Sequence, residues 1–281
     1  EKVKNPHWRS NYDYGLCARL GLYCYNFQNG TDYDFLFVRK IYRQCCYSFN
    51  NSFFITVEAL NPSSDRPRLT FETCVKHNDG YAARGEGLWW ETCIFRLKGS
   101  QEADDDEWDN VAINDYYKGE MPQWLSDEDR QRCYVVEGSE LHHRDNWWLP
   151  LFTELAFYTI WIGELTVTEI GDYAPLRPQE VVVETRGEEE AETEPRDKLK
   201  VANAIFYISF QCADDLENGG LGDYRAVVRK TMDGKPGHMR LEVICWSEDA
   251  DEESEESGSE SSDFEDMIYF NGMMELTDQL C

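Results

Sequence analysis

The hydrophobic positions of this chain switch between two periods, and the switches mark its elements. Cys17 to Asn26 reads as the body of a helix spanning Tyr14–Phe27, stopped by Asn29-Gly30. Four strand patterns follow, over Phe35–Tyr42, Phe53–Leu60, Arg68–Lys76 and Leu88–Leu97, with Asn61 to Asp65 and His77 to Gly80 as turns. The second to fourth of these alternate: Ile55, Val57, Leu69 and Phe71 fall on one side, with Thr and Glu on the other. A sheet with one packed face produces that alternation, and the helix is the element expected to cover it.

A second series repeats the order. Trp147–Ile162 predicts a helix; Leu165–Ile170, Glu180–Glu184, Asn203–Gln211, Asp223–Thr231 and Met239–Trp246 predict strands, with a Glu-rich loop at Gly187–Asp197. Gln101–Asn110 predicts a linker, and Asp115–Asp145 a polar connection that packs through its aromatics, Trp124 among them. The halves echo one another, Asn51-Ser52-Phe53-Phe54-Ile55 against Asn203-Ala204-Ile205-Phe206-Tyr207. Each echo is followed by a strand, an Asp-Gly turn (Asp79-Gly80, Asp233-Gly234) and a last strand bearing Glu and Cys (Glu91, Cys93; Glu242, Cys245). The fold class expected is α+β, with a helix packed on a curved antiparallel sheet occurring twice. The units are 11–98 and 146–246, joined by 99–145 and followed by a tail, 247–281.

Charge narrows the partners. Of a formal net charge of −28, eleven acids with no Lys or Arg lie between Ser247 and Asp266, and six more in Gln101–Asn110. Such a chain repels phosphate backbones, which argues against direct DNA or RNA binding and for a protein partner with a basic surface. The longest apolar run, Leu151–Leu165, is broken by Thr153, Glu154 and Glu164, too interrupted to span a bilayer. Among ten cysteines no Cys-x-x-Cys occurs, Cys45 and Cys46 are adjacent, and Cys17, Cys24, Cys74, Cys93, Cys212 and Cys245 sit in apolar patterns. That usage fits a reduced, intracellular chain.

Catalytic patterns are weak. His7, His77, His142, His143 and His238 lack the paired short spacing of a zinc site and read as solvated or cap-forming side chains. No nucleophile motif surrounds any Cys or Ser. Asp104-Asp105-Asp106 belongs to a charge run, and Lys235-Pro236-Gly237 is a hairpin turn without a phosphate-binding glycine pattern. The expectation is a non-enzymatic protein with no cofactor and no metal.

Phe37-Val38-Arg39 and Phe54-Ile55-Thr56-Val57-Glu58-Ala59, after the helix, resemble the core of plant cystatins. There a Leu-Ala-Arg-Phe helix leads into Phe-Val-Arg and Leu-Thr-Leu-Glu-Ala strands. The resemblance implies two tandem cystatin-like units. Cystatins block papain-like proteases with an apolar wedge made by a Gln-x-Val-x-Gly hairpin and a Pro-Trp loop. The aligned hairpin positions here are Cys46, Tyr47, Ser48, Phe49 and Asn50, without any of the three defining residues, and Trp89-Trp90 follow Leu88 in place of Pro.

Taken whole, the chain resembles the plant "male sterile five" family of uncharacterised proteins. The residues that carry this are Gly15 to Leu22, Tyr25-Asn26, Gly30-Thr31 and Phe54-Ile55-Thr56, then Ala202 to Ile208, Val227 to Gly234 and Pro236-Gly237-His238. The resemblance implies a plant protein of the nucleus or cytoplasm, with meiosis or reproductive development as the setting for some relatives, and it brings no catalytic activity.

The function expected is a protein-interaction scaffold. Its contact residues would be Cys46, Tyr47, Ser48, Phe49, Asn50, Trp89 and Trp90, together with the acids from Glu248 to Asp266. Ser257 and Ser262, each with Glu three residues on, are candidate sites for acid-directed kinases. Beyond them, Met267-Ile268-Tyr269-Phe270 and Met273-Met274-Glu275-Leu276 read either as a motif for a partner's groove or as an element folded back on the second unit. Two rivals remain: a cysteine-protease inhibitor with a degenerate wedge, and a small-molecule-binding or hydrolytic enzyme on a cystatin-like cone. The enzyme requires a deep pocket with convergent polar groups.

Overall fold

The computed structural model describes residues 12–45, 50–62, 67–78, 88–100, 107–186, 194–212 and 222–247, without the side chains of Cys45, Asn50 and Asn78. Helix α1 (Tyr12–Asn29) leads into an antiparallel meander of β1 (Asp34–Cys45), β2 (Asn50–Leu60), β3 (Arg68–Asn78) and β4 (Leu88–Leu97). The connection beyond it carries short helices α2 (Asp127–Arg130) and α3 (Gly138–Leu141) and the two-residue strand β5 (Tyr134–Val135). Helices α4 (Leu149–Trp161) and α5 (Val167–Asp172) precede a second meander of β6 (Arg177–Glu184), β7 (Ala204–Gln211), β8 (Asp223–Thr231) and β9 (Met239–Ser247).

The two meanders form one sheet. β4 pairs antiparallel with β9, Leu88 opposite Val243 and Thr92 opposite Met239, so the nine strands of the described residues run in the order β1-β2-β3-β4-β9-β8-β7-β6-β5. Each meander alone would present the unpaired N–H and C=O groups of its last strand as an edge; joining the last strands removes both edges. The sequence echo falls at equivalent places, since β2 and β7 are each the second strand of their meander. Asp233-Gly234 turns between the third and fourth strands of its half; Asp79-Gly80 lies outside the described residues.

Both long helices lie on one face, over a core that joins the halves. Leu16 and Leu20 of α1, Phe152 and Leu155 of α4, Val57 and Phe71 of the first meander and Phe206 and Leu241 of the second belong to one cluster. α1 is buried on most sides because the sheet lies beneath it and α4 and α5 beside it. It sits flush. A Cβ on Gly21 would stand 2.6 Å from Thr73 Oγ1 and 2.7 Å from Phe95 Cδ2. Asn26 pins the chain as it leaves the helix, its amide exchanging 3.0 Å hydrogen bonds with both backbone groups of Tyr33. Glu154, which interrupts the apolar pattern of α4, is the tie between the helices: Tyr12 Oη donates to it at 2.7 Å and Arg19 forms an ion pair with it.

One predicted strand is a helix. Leu165–Ile170 alternates like a strand, yet Val167–Asp172 is α5. Thr166 Oγ1 accepts from the Glu169 N–H at 3.3 Å while the Glu169 carboxylate accepts from the Thr166 N–H at 2.8 Å. This reciprocal cap satisfies donors that a helix start leaves orphaned, and it outweighs the β-branched pattern. Of the Glu-rich loop, 187–193 lies outside the described residues and Pro195–Lys200 forms a 3-10 helix.

Candidate functional site

The face of the sheet away from the helices differs between the two halves. Over β6 to β9 it is crossed by residues 107–133, here called the strap. Ile113 and Tyr117 pack on Val182, Ile205, Tyr207 and Val227 in a second core cluster, with Trp108, Met121 and Trp124 at its margin. Arg229, only 3% exposed, rises from β8 to Glu242 at 2.7 Å and donates to the carbonyls of Gly119 and Glu120 at 2.8 and 3.0 Å. The turn between β8 and β9 holds the start of the strap. Asp233 and His238 are 2.8 Å apart and sealed from solvent; Trp108 stacks on the imidazole, and the Asp109 N–H donates to Asp233 at 3.0 Å. Gly237, at φ +78°, brings this turn against β4, where a Cβ would lie 2.7 Å from the Phe95 nitrogen.

Over β1 to β4 the same face stands open at Phe37, Tyr42 and Phe54, which are 37%, 63% and 40% exposed. The register sets Tyr42 opposite Phe54, rings 6.2 Å apart, with Lys40 opposite Thr56, Glu72 opposite Arg96 and Cys74 opposite Ile94. Between them is a shallow cleft of about 240 Å³ lined by Lys40, Tyr42, Phe54, Thr56, Cys74 and Arg96.

The charge of this face runs against that of the chain. Its bases are Arg39, Lys40, Arg68, Lys76 and Arg96, its acids Asp34, Glu58, Glu72 and Glu91. Each acid is paired: Asp34 with Arg144 at 3.8 Å, Glu58 with Arg39 at 3.0 Å, Glu72 with Arg96 at 3.9 Å, and Glu91 with Lys76 at 3.6 Å and Arg240 at 3.0 Å. Lys40 and Arg68 have no carboxylate partner among the described residues. The result is an apolar, aromatic patch rimmed by uncompensated positive charge.

The profile of the family described as Protein MS5 matches residues 121–241. The UPF0725 protein At4g29550 of Arabidopsis thaliana is 38% identical over 240 residues, covering 82% of this chain and 63% of its own length. The chain thus spans under two thirds of that relative. The UPF0725 protein At4g28920, also of Arabidopsis thaliana, is 34% identical over 257 residues, covering 84% of this chain and 77% of the relative. The chain belongs to the MS5 family. The crystal structure of MS5 from Brassica napus matches with a TM-score of 0.61 at 23% identity, over 83% of this chain and 96% of that one. The shared fold is thus α+β, with a large antiparallel sheet and few helices.

In this MS5-family chain the predicted contact residues part company. Cys46, Tyr47, Ser48 and Phe49, the acids from Glu248 onward, Ser257 and Ser262 lie outside the described residues, and Asn50 opens β2. Trp89 is half-buried on the outer face, with the Arg240 guanidinium 5.8 Å from its ring. Trp90 is no surface residue. It is 2% exposed, stacked on His77 at 5.1 Å and edge-on to Tyr158 of α4, because adjacent residues on a strand point to opposite faces. The open cleft was missed in the sequence, although it left a signal: Phe54 puts an aromatic on the polar side of the β2 alternation.

Most of the cysteines whose side chains are described, Cys17, Cys24, Cys74, Cys93 and Cys212, are buried. Burial pushes the Cys24 thiol up to about 12, and it raises Cys17 and Cys245 too. His143 caps a 3-10 turn, its Nδ1 accepting from the Asp145 N–H at 3.3 Å, and His142 is exposed. Among the described residues no helix is long and apolar enough to cross a membrane.

Proposed function

We propose that this MS5-family protein acts by protein–protein contact and not by catalysis, with the open face of β1 to β4 as its docking surface. The observation that carries this reading is the asymmetry of one sheet face. It is sealed by the strap over one half, and over the other it leaves Tyr42, Phe54 and Phe37 exposed, with Lys40 beside the cleft and without a carboxylate partner among the described residues. The chemistry that complements it is an apolar or aromatic segment flanked by acids. The acidic stretch Glu248–Asp266, with Ser257 and Ser262 as phosphorylation sites, offers a second contact suited to a basic partner surface. The nucleus or cytoplasm of a plant cell, in meiosis or reproductive tissue, is the setting that the family resemblance suggests.

The flush seating of α1 on the sheet, marked by Gly21, supports this reading over an enzyme on a cystatin-like cone, since catalysis there needs a pocket beneath the helix. Two tandem cystatin-like units remain our finer description. A helix followed by a four-stranded meander occurs in each half, and the echoed segments lie on the second strands. Protease inhibition has less support, because Trp90 belongs to the core and cannot join Trp89 in a wedge.

The test is capture from plant nuclear and cytosolic extracts with the full chain and with Tyr42→Glu/Phe54→Glu. Partners retained by the parent and lost with the variant are expected. An identical partner set on both chains would sink the docking surface. Inhibition of a papain-like protease by micromolar chain would restore the inhibitor reading.

A further inference from the structure

We propose that the open face is covered in cis by the acidic, Met- and aromatic-bearing segment 248–281 of the same chain, as a built-in competitor for the partner. The inference rests on the reading of that face as a docking surface and names its first occupant. Three observations lead to it.

The first is where the described chain stops. β9 pairs with β4 so that Ser247 lies beyond Leu88, and the register carries that end of the sheet through Asn78 of β3 and Asn50 of β2 to Cys45 of β1. Tyr42 and Phe54 lie a few residues from this same end. From β9 to β2 is three strand spacings, about 14 Å, and even twenty extended residues reach about 66 Å. Residues 248–281 therefore start on the correct side with length to spare.

The second is charge. Eleven acids without a base lie between Ser247 and Asp266, and the face has its own acids all paired while Lys40 and Arg68 have no carboxylate partner among the described residues. Residues 1–11 have the wrong sign for it, with Lys2, Lys4 and Arg9 against Glu1. The third is apolar content. Met267, Ile268, Tyr269, Phe270, Met273 and Met274 follow the acids in sequence, as the aromatic cleft lies beside Lys40 in space. A tether of this length holds its segment at an effective concentration near the millimolar range, so a weak contact is occupied. Phosphate on Ser257 and Ser262 would strengthen it, and a partner with a basic surface would compete for the acids and uncover the face.

The experiment places a photo-crosslinking benzoylphenylalanine at Tyr42 of the full chain, and in a second chain at Tyr116, an exposed residue of the strap. Light and heavy-isotope chains are mixed, irradiated and mapped by mass spectrometry. Expected are crosslinks from position 42 into 248–281, within one chain, severalfold above those from position 116. Lys40→Glu/Arg68→Glu, both at exposed or half-exposed sites, should cut the yield severalfold. So should raising salt from about 0.1 M to about 1 M, which shortens the Debye length from ~10 to ~3 Å. Equal yields from the two positions overturn the proposal, as do crosslinks between light and heavy chains, which would make a second copy the occupant. Yields unmoved by charge reversal also overturn it. If these crosslinks fail while capture still depends on Tyr42 and Phe54, the cis cover falls and the docking reading stands. If they form while capture ignores both residues, the docking reading falls instead.

Discussion

Gly237→Ala is the substitution that most sharply tests how the halves are joined. Gly237 lies in the turn between β8 and β9 at φ +78°, and a Cβ there would stand 2.7 Å from the Phe95 nitrogen and 3.2 Å from the Ile94 carbonyl carbon. Both contacts are backbone of β4, which cannot swing aside as a side chain does. Gly234, three residues earlier, has a similar φ of +85° but nothing within 4 Å of its would-be Cβ. Left-handed backbone costs an L-residue roughly 1–2 kcal/mol at either position. Only Gly237 adds overpacking against fixed atoms, typically another 1–3 kcal/mol. Gly234→Ala should therefore lose about 1–2 kcal/mol and Gly237→Ala about 2–5 kcal/mol. Urea unfolding followed by tryptophan fluorescence measures both, and the difference between them removes the shared backbone cost. Equal losses would show that the turn does not press on β4, and the account of the β4–turn contact would be wrong.

Three further outcomes follow from the same packing. Trp90→Ala should cost about 3–5 kcal/mol in the same assay because it empties a site enclosed by His77 and Tyr158; Trp89→Ala, at a half-buried position, should cost clearly less. Glu154→Ala leaves Arg19 and the Tyr12 hydroxyl without their shared acceptor and should cost about 3–5 kcal/mol, whereas Glu154→Gln, which can still accept from Tyr12, should recover part of that loss. The hydrogen bond from Arg130 holds the Glu180 carboxyl below its usual range, so the stabilisation is present above the unfolded-state value and fades as pH falls through the folded-state one. The pair is more than a third exposed, so Glu180→Gln should cost less than about 1 kcal/mol at neutral pH, and progressively less as the pH falls below the unfolded-state value. An undiminished cost in acid would point to packing in place of charge.

How much of this was legible varied with the range of the interaction involved. The order of helix and strands in both meanders was, apart from the segment that is α5, because period and turn chemistry are local properties. Even α5 had its signal in Thr166 and Glu169, a spacing that could have overruled the alternation of Leu165 and Val167. The strap was half legible. Ala204 to Ile208 is a continuous apolar run, as a strand covered on both faces must be, while β2 alternates as a strand covered on one.

By itself, then, the sequence determined which residues form elements, which strands have one apolar face and which have two, and that an acidic segment follows the last strand. Only the tertiary structure decided that β4 and β9 join the halves into one sheet, that Trp90 is core while Trp89 is not, and that Glu154 meets Tyr12 and Arg19 across the helix pair. It also decided that the strap closes one half of the outer face and leaves Tyr42 and Phe54 open on the other. These outcomes turn on partners far apart in the chain, such as Arg240 with Glu91 and Tyr12 with Glu154. A local pattern states that a face needs covering, but the covering element is chosen by the free energy of the whole arrangement.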